Sequence, residues 1–202
     1  MSSPCSAMGE PADYFQVVYC DPPWSYRGQV QHGGAHQGFT SGASEFYATM
    51  SVEDICTLGP WVKGISDPNG SALFMWFSPP IMEDALAVMR AWGFKYKTIS
   101  HVWNKQRVNP GAYTLSSCEM VMVGTRKKRP SPRSMKERQL VTVPRTRHSA
   151  KPDEVRESIE RMYPEARRVE LFARGEQVDH WTRYGLECEP KMLLTPEGPA
   201  AV

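Results

Sequence analysis

The sequence predicts an α/β fold with a sheet of mostly parallel strands, and three observations carry that prediction. Short apolar runs alternate with segments whose apolar residues recur every three to four positions, the mark of strands alternating with helices. Two of the runs, Phe15 to Cys20 and Ser71 to Phe77, carry no charge, as strands buried on both faces do. Proline and glycine cluster at the joins. With 202 residues the chain is sized for one domain, expected over 13–187, with the Pro-, Gly-, Ser- and Ala-rich ends 1–12 and 188–202 as flexible tails.

The first strand ends at Cys20. Ser51, three residues ahead of Asp54, resembles a capping box and opens a helix over about 52–62. A strand over 71–77 follows, and Pro79-Pro80 sits where a helix can start. The spacing of Ile81, Ala85, Leu86, Val88 and Met89 carries that helix to a stop at Gly93. Strands are expected over 94–103, 119–123 and about 139–143. Lys151-Pro152-Asp153-Glu154 begins a third helix, with proline at its first position and acids where the helix dipole favours them. A buried strand over 168–173 completes the set.

Composition narrows the class of protein. Hydrophobic residues make up 41% and charged residues 23% of the chain, and no apolar run approaches the ~20 residues that span a bilayer, so no membrane partner is expected. The N-terminus lacks the basic and apolar segments of a secretory signal. Five cysteines are scattered with no C-x-x-C pair, which argues against a zinc-thiolate site or a redox dithiol and fits a reduced, cytoplasmic protein. His32 and His36 lack a third ligand and a helix to carry them, so no metal is expected. The net charge of +2 does not announce a nucleic-acid binder. Its distribution is less even, because the segment from Arg126 to Arg138 holds seven basic residues against one acidic. That run is either a solvated surface or, beside a base-binding site, a phosphate contact made by Lys127, Lys128 and Arg129.

The tetrapeptide Asp21-Pro22-Pro23-Trp24 is the most informative feature. Asp21 falls at the carboxyl end of a strand, where open α/β sheets bind ligands. Each proline fixes φ near −65° and removes an N–H, so the chain and its carbonyls must leave the sheet in one direction. A planar base with an exocyclic amine fits the group: the amine donates to Asp21 and to the Pro22 carbonyl, while Trp24 stacks on the ring. Alone, the same four residues also read as an ordinary strand-ending turn with a core tryptophan. The segment from Ser25 to Ser44 runs about twenty residues without periodicity and reads either as a lid over substrate or as a surface loop. Tyr26 in it is either a second stacking face or a lid residue.

Several stretches in order extend the pattern: Leu73-Phe74-Met75-Trp76, Ala91-Trp92-Gly93-Phe94, Trp103-Asn104-Lys105, Ser117-Cys118-Glu119, Arg147 to Glu154, and Val169 to Arg174. With Asp21 to Trp24 they cover about 13–187 and resemble the MTA-type family of adenine-N6 methyltransferases, which includes the eukaryotic mRNA adenosine methyltransferase subunits, and in particular its short phage and bacterial members. The resemblance implies a Rossmann-like class I methyltransferase fold, a three-layer α/β/α sandwich, with S-adenosylmethionine as donor. It implies Asp21, Pro22, Pro23 and Trp24 as catalytic residues, Asp21 also touching the cofactor. Lys151 would face the cofactor's methionine carboxylate, Arg174, Glu176 and Gln177 its ribose and adenine, and Glu187 its ribose hydroxyls. The other readings are surface solvation for Lys151 and Glu187, and for Arg174 an ion pair with a carboxylate such as Glu170. The chain departs from longer members in having only twenty residues ahead of Asp21, and Arg174-Gly175-Glu176-Gln177 replaces a histidine and an asparagine of the mRNA enzymes. The short form favours DNA over RNA as the polymer, with a homodimer or a related partner subunit as the possible assembly. A catalytically silent binding subunit and a cytosine-N4 or small-molecule aminomethylase are the competing readings.

Overall fold

The computed structural model describes residues 14–25, 49–111, 113–130, 134–145 and 150–202. Nine strands are found among them: β1 (Val17–Cys20), β2 (Gly70–Phe77), β3 (Lys95–Asn109), β4 (Ser116–Lys127), β5 (Leu140–Thr142), β6 (Arg168–Leu171), β7 (Trp181–Tyr184), β8 (Met192–Thr195) and β9 (Gly198–Ala201). The first seven form one sheet in the order β5-β3-β4-β2-β1-β6-β7. All its pairings are parallel except those of β4, which opposes both β2 and β3 and is the reversed strand of the sheet.

Helices α1 (Val52–Thr57), α2 (Gly59–Ile65) and α3 (Met82–Ala91) cover one face, and α4 (Asp153–Met162) covers the other. The result is the expected three-layer sandwich. Strand periodicity sorts the core into two halves. Val18, Cys20, Leu73, Met75, Val169 and Leu171 meet α1 to α3, whereas Val17, Tyr19, Phe74, Trp76, Val121 and Trp181 meet Val155 and Ile159 of α4. The chain leaves β1 toward β2 on one side and returns later through β6 on the other, so the carboxyl end of β1 is a topological switch point, where α/β sheets open a crevice.

Differences from the sequence reading have local causes. The helix expected over 52–62 is two helices, because Gly59 and Pro60 restart the chain and an added side chain at Gly59 would strike the Ala91 carbonyl. Pro152 caps α4 rather than entering it. The strand expected over 168–173 stops at Leu171, since Phe172 turns to φ 58°, outside the extended region. Residues 188–202, expected as a loose tail, carry the β8–β9 hairpin. Leu194 enters the core and Gly198 lies against the Trp61 ring, so apolar contact holds this end down.

Candidate active site

The site grows from strand periodicity. Apolar side chains along each strand face α4, and where a row runs out past the helix its next member is polar: Val17 and Tyr19 lead to Asp21, Val121 to Glu119, and Trp103 to Lys105. These polar ends meet at Lys151, just ahead of α4. Its Nζ lies 3.1 Å from Asp21 Oδ1 and 3.0 Å from Glu119 Oε2, while Lys105 Nζ approaches Glu119 Oε1 at 3.3 Å. Asp21, Lys151, Glu119 and Lys105 thus alternate in sign along one chain of contacts. The Lys151 ammonium also stands 5.4 Å from the centre of the Trp76 ring, and the Trp76 indole donates to the Tyr19 hydroxyl at 2.5 Å. Burial works against the charge on Lys151, yet Asp21 and Glu119 outweigh it and raise its pKa above the ordinary lysine value. Burial likewise pushes Glu119 up, and the two ammonium groups overcome this to hold its carboxyl below the usual range.

Beside this chain lies a cavity of about 770 Å³, lined among others by Asp21, Lys151, Arg156, Arg174, Glu176, Gln177 and Glu187. The cofactor-binding candidates therefore share one space, at the switch point. Arg174 pairs with Glu187 at 3.5 Å, not with Glu170, and the two residues bridge as short parallel backbone. Glu170 belongs to Arg183, whose Nε donates to it at 2.8 Å. The same guanidinium donates to the carbonyls of Arg174 at 2.6 Å and of Glu176, so Arg183 ties down the 174–176 turn. Gln177 spends its amide nitrogen on the Trp181 carbonyl at 3.0 Å. Phe172, in its left-handed conformation, lines the same cavity, and such strain gathers at ligand sites.

Two expectations need correction. Trp24, expected to stack on a base, is only 6% exposed and packs in the core shared with α1 to α3, across the sheet from Asp21. Its buried indole N–H must find an acceptor and takes the Trp76 carbonyl at 3.1 Å. Lys127, Lys128 and Arg129, expected beside the base, lie at the far end of the sheet. The reversed strand β4 carries them there: Lys127 pairs with Gly70, six residues below the level of Trp76, or about 20 Å at ~3.3 Å per residue. The Pro22 carbonyl accepts the Trp24 backbone N–H at 2.8 Å, which leaves it one lone pair. Tyr26 and most of the Ser25–Ser44 segment lie outside the described residues.

Sequence reasoning missed Arg156 and Arg183, named Glu170 only as a partner for Arg174, and gave Glu119 no role. The available signal was alternation: a charge two positions beyond a buried aromatic, as in Trp181-Thr182-Arg183, marks a strand row leaving the core.

The cavity, its cations and its acids fit S-adenosylmethionine on one further observation. The Nε–H of Arg156 is buried and makes no hydrogen bond, and such orphans call for a missing acceptor. Fold and donor set together define a Rossmann-like methyltransferase that uses S-adenosylmethionine. The MT-A70 family profile matches residues 15–187, and the chain belongs to that family. It is 37% identical to the type II methyltransferase M.MunI of Mycoplasma sp over 92% of this chain and 83% of that protein. It is 25% identical to the N(6)-adenosine-methyltransferase MT-A70-like protein of Drosophila melanogaster and 24% to the human N(6)-adenosine-methyltransferase catalytic subunit METTL3, over 91% of this chain in both cases. It spans only 28% and 30% of those two proteins. Among the described residues, no helix is long and apolar enough to cross a membrane.

Proposed function

We propose that the chain methylates the N6 amine of adenine in DNA, with Asp21 as the acceptor that holds the amine. One observation carries the reading: an aspartate at the switch point whose Oδ1 is tethered to Lys151, while nothing among the described residues bonds Oδ2. A carboxylate oxygen fixed in place by its twin suits an N–H donor, because its orientation is settled before the substrate arrives. The adenine amine is a poor nucleophile, its lone pair being delocalised into the ring. Hydrogen bonds to Asp21 Oδ2 and to the free lone pair of Pro22 favour the form in which that pair is localised. S-adenosylmethionine, when bound, supplies the electrophilic sulfonium methyl group. The nitrogen that gains the methyl sheds one proton, and Asp21 is the base placed to receive it.

Lys151 holds Asp21 in its aim. Two of its three N–H donors are committed to Asp21 and Glu119, so the carboxylate end of the cofactor falls to Arg156 together with the remaining Lys151 donor. Arg174, Glu176, Gln177 and Glu187 are assigned to the nucleoside end. DNA is preferred because the chain matches the type II methyltransferase over most of that protein's length, and the adenosine enzymes over less than a third of theirs. A base inside a duplex is out of reach, so the target is single-stranded or flipped.

The test uses methyl-labelled S-adenosylmethionine with matched DNA and RNA strands carrying either adenine or purine, which lacks the amine. Label on the adenine DNA alone is the expected result. Equal label on the purine strand, or label confined to RNA, overturns the assignment.

A further inference from the structure

A second cavity, of about 700 Å³, lies on the α4 face at the opposite end of that helix from Lys151. Its rim carries Lys97 from β3, Lys127 and Arg129 from the end of β4, and Arg138 on the approach to β5. All four are exposed, and among the described residues none is paired with a carboxylate. The acid in the lining, Glu137, is already spent: both its oxygens accept from Arg161, at 3.1 and 3.0 Å. The floor between the cations is apolar, with Val123 and Met162, and Lys127 is held at φ 53°, a conformation uncommon outside glycine. A pocket with an uncompensated cationic rim over an apolar floor matches a nucleotide, phosphate outward and base inward.

We infer that this cavity is a distal anchor for the same strand whose adenine is presented to Asp21, an inference that rests on the proposed function. The separation of about 20 Å sets its reach. At ~3.4 Å per stacked nucleotide, it engages a nucleotide about six positions from the target. The basic segment therefore contacts the polynucleotide, but far from the reacting base.

The full chain is titrated with labelled single strands of five and of twenty nucleotides, each with one central adenine, at several salt concentrations. The double variant Lys97→Glu/Arg138→Glu is compared with wild type and with the charge-keeping Lys97→Arg/Arg138→Lys. Wild type is expected to bind the longer strand at least tenfold tighter. The charge-reversed variant loses most of that advantage and about one unit or more of salt slope, at ~0.7 per phosphate contact, while its Kd for the five-nucleotide strand is unchanged. The charge-keeping variant retains the advantage. An undiminished length advantage in the charge-reversed variant overturns the inference. So does the finding that the cavity binds free ATP while strand length has no effect, which would make it a small-nucleotide site. Failure of the proposed function shows separately, as absence of methyl transfer to either strand, because the binding titration does not depend on turnover.

Discussion

Asp21 and Lys151 are 130 residues apart in sequence and 3.1 Å apart in space, and Glu119 closes the arrangement by taking the other side of the same ammonium. Neither acid is placed by its own loop. Each is the next outward step of a strand row whose inner members are core. Removing Glu119 therefore strikes both folding and aim. Glu119→Ala leaves Lys151 and Lys105 facing each other without their shared acid, at a cost of about 2–4 kcal/mol in urea denaturation. Because the folded state holds the Glu119 carboxyl low, its contribution is present above the ordinary glutamate pKa and is lost as pH falls through the lowered value. The Glu119→Ala deficit should thus shrink in acid.

Trp24 separates a core role from a stacking role. Its burial and its bond to the Trp76 carbonyl imply that Trp24→Ala destabilises by about 3–5 kcal/mol. Trp24→Phe keeps the ring, loses the N–H, and should cost about 1–3 kcal/mol for the orphaned carbonyl. A Trp24→Ala protein with native melting temperature and a raised KM for substrate would restore the stacking role.

Arg183 is the expected hidden determinant of cofactor affinity. Arg183→Met strands Glu170 without its guanidinium and frees the 174–176 turn. A loss of about 3 kcal/mol or more in stability is expected, with at least tenfold weaker binding of S-adenosylhomocysteine by calorimetry. Arg183→Lys cannot span a carboxylate and several carbonyls together, and should fall between.

Arg156 offers a finer discrimination. Its unpaired Nε–H is assigned to the amino-acid end of the cofactor, so Arg156→Gln should weaken S-adenosylhomocysteine but leave methylthioadenosine, which lacks that end, unchanged. Equal loss for both ligands contradicts the assignment.

How far the chain could be read in advance follows from the range of each signal. The sheet and its helices were legible because strand and helix periods are local. So was Asp21, since a strand followed by two prolines announces its own end. Pairing across the sheet was not. Nothing near Arg126 to Arg138 tells that β4 runs backwards, and that one reversal moved the basic run to the far end of the sheet. Trp24 was misread because its side of the sheet is set by the turn after β1, and Arg183 because its partners come from another strand and another loop.

His101 gives the fold its clearest acid sensitivity. It is 1% exposed beneath α4, with Nε2 2.9 Å from the Ser158 hydroxyl. Burial lowers its pKa to about 4, against a smaller opposing pull from Glu137. The unfolded chain takes a proton below about pH 6.5 and the folded chain does not until about 4. Stability is therefore lost as pH falls between those values, by up to about 3 kcal/mol. Denaturation of wild type and His101→Gln at pH 7, 5.5 and 4.5 should show a shallower acid slope in the variant; parallel slopes would contradict this.

The most direct measurement is methyl transfer by Asp21→Asn under single-turnover conditions, with the modified nucleoside identified by mass after digestion. Asparagine keeps the shape beside Lys151 but removes the charge and the proton acceptor. Wild type should yield N6-methyldeoxyadenosine, and the variant should bind S-adenosylhomocysteine yet transfer the methyl about 10²- to 10³-fold more slowly. Wild-type rates in Asp21→Asn, or a methyl group found on any other atom of the base, would contradict Asp21 as the residue that holds the reacting amine.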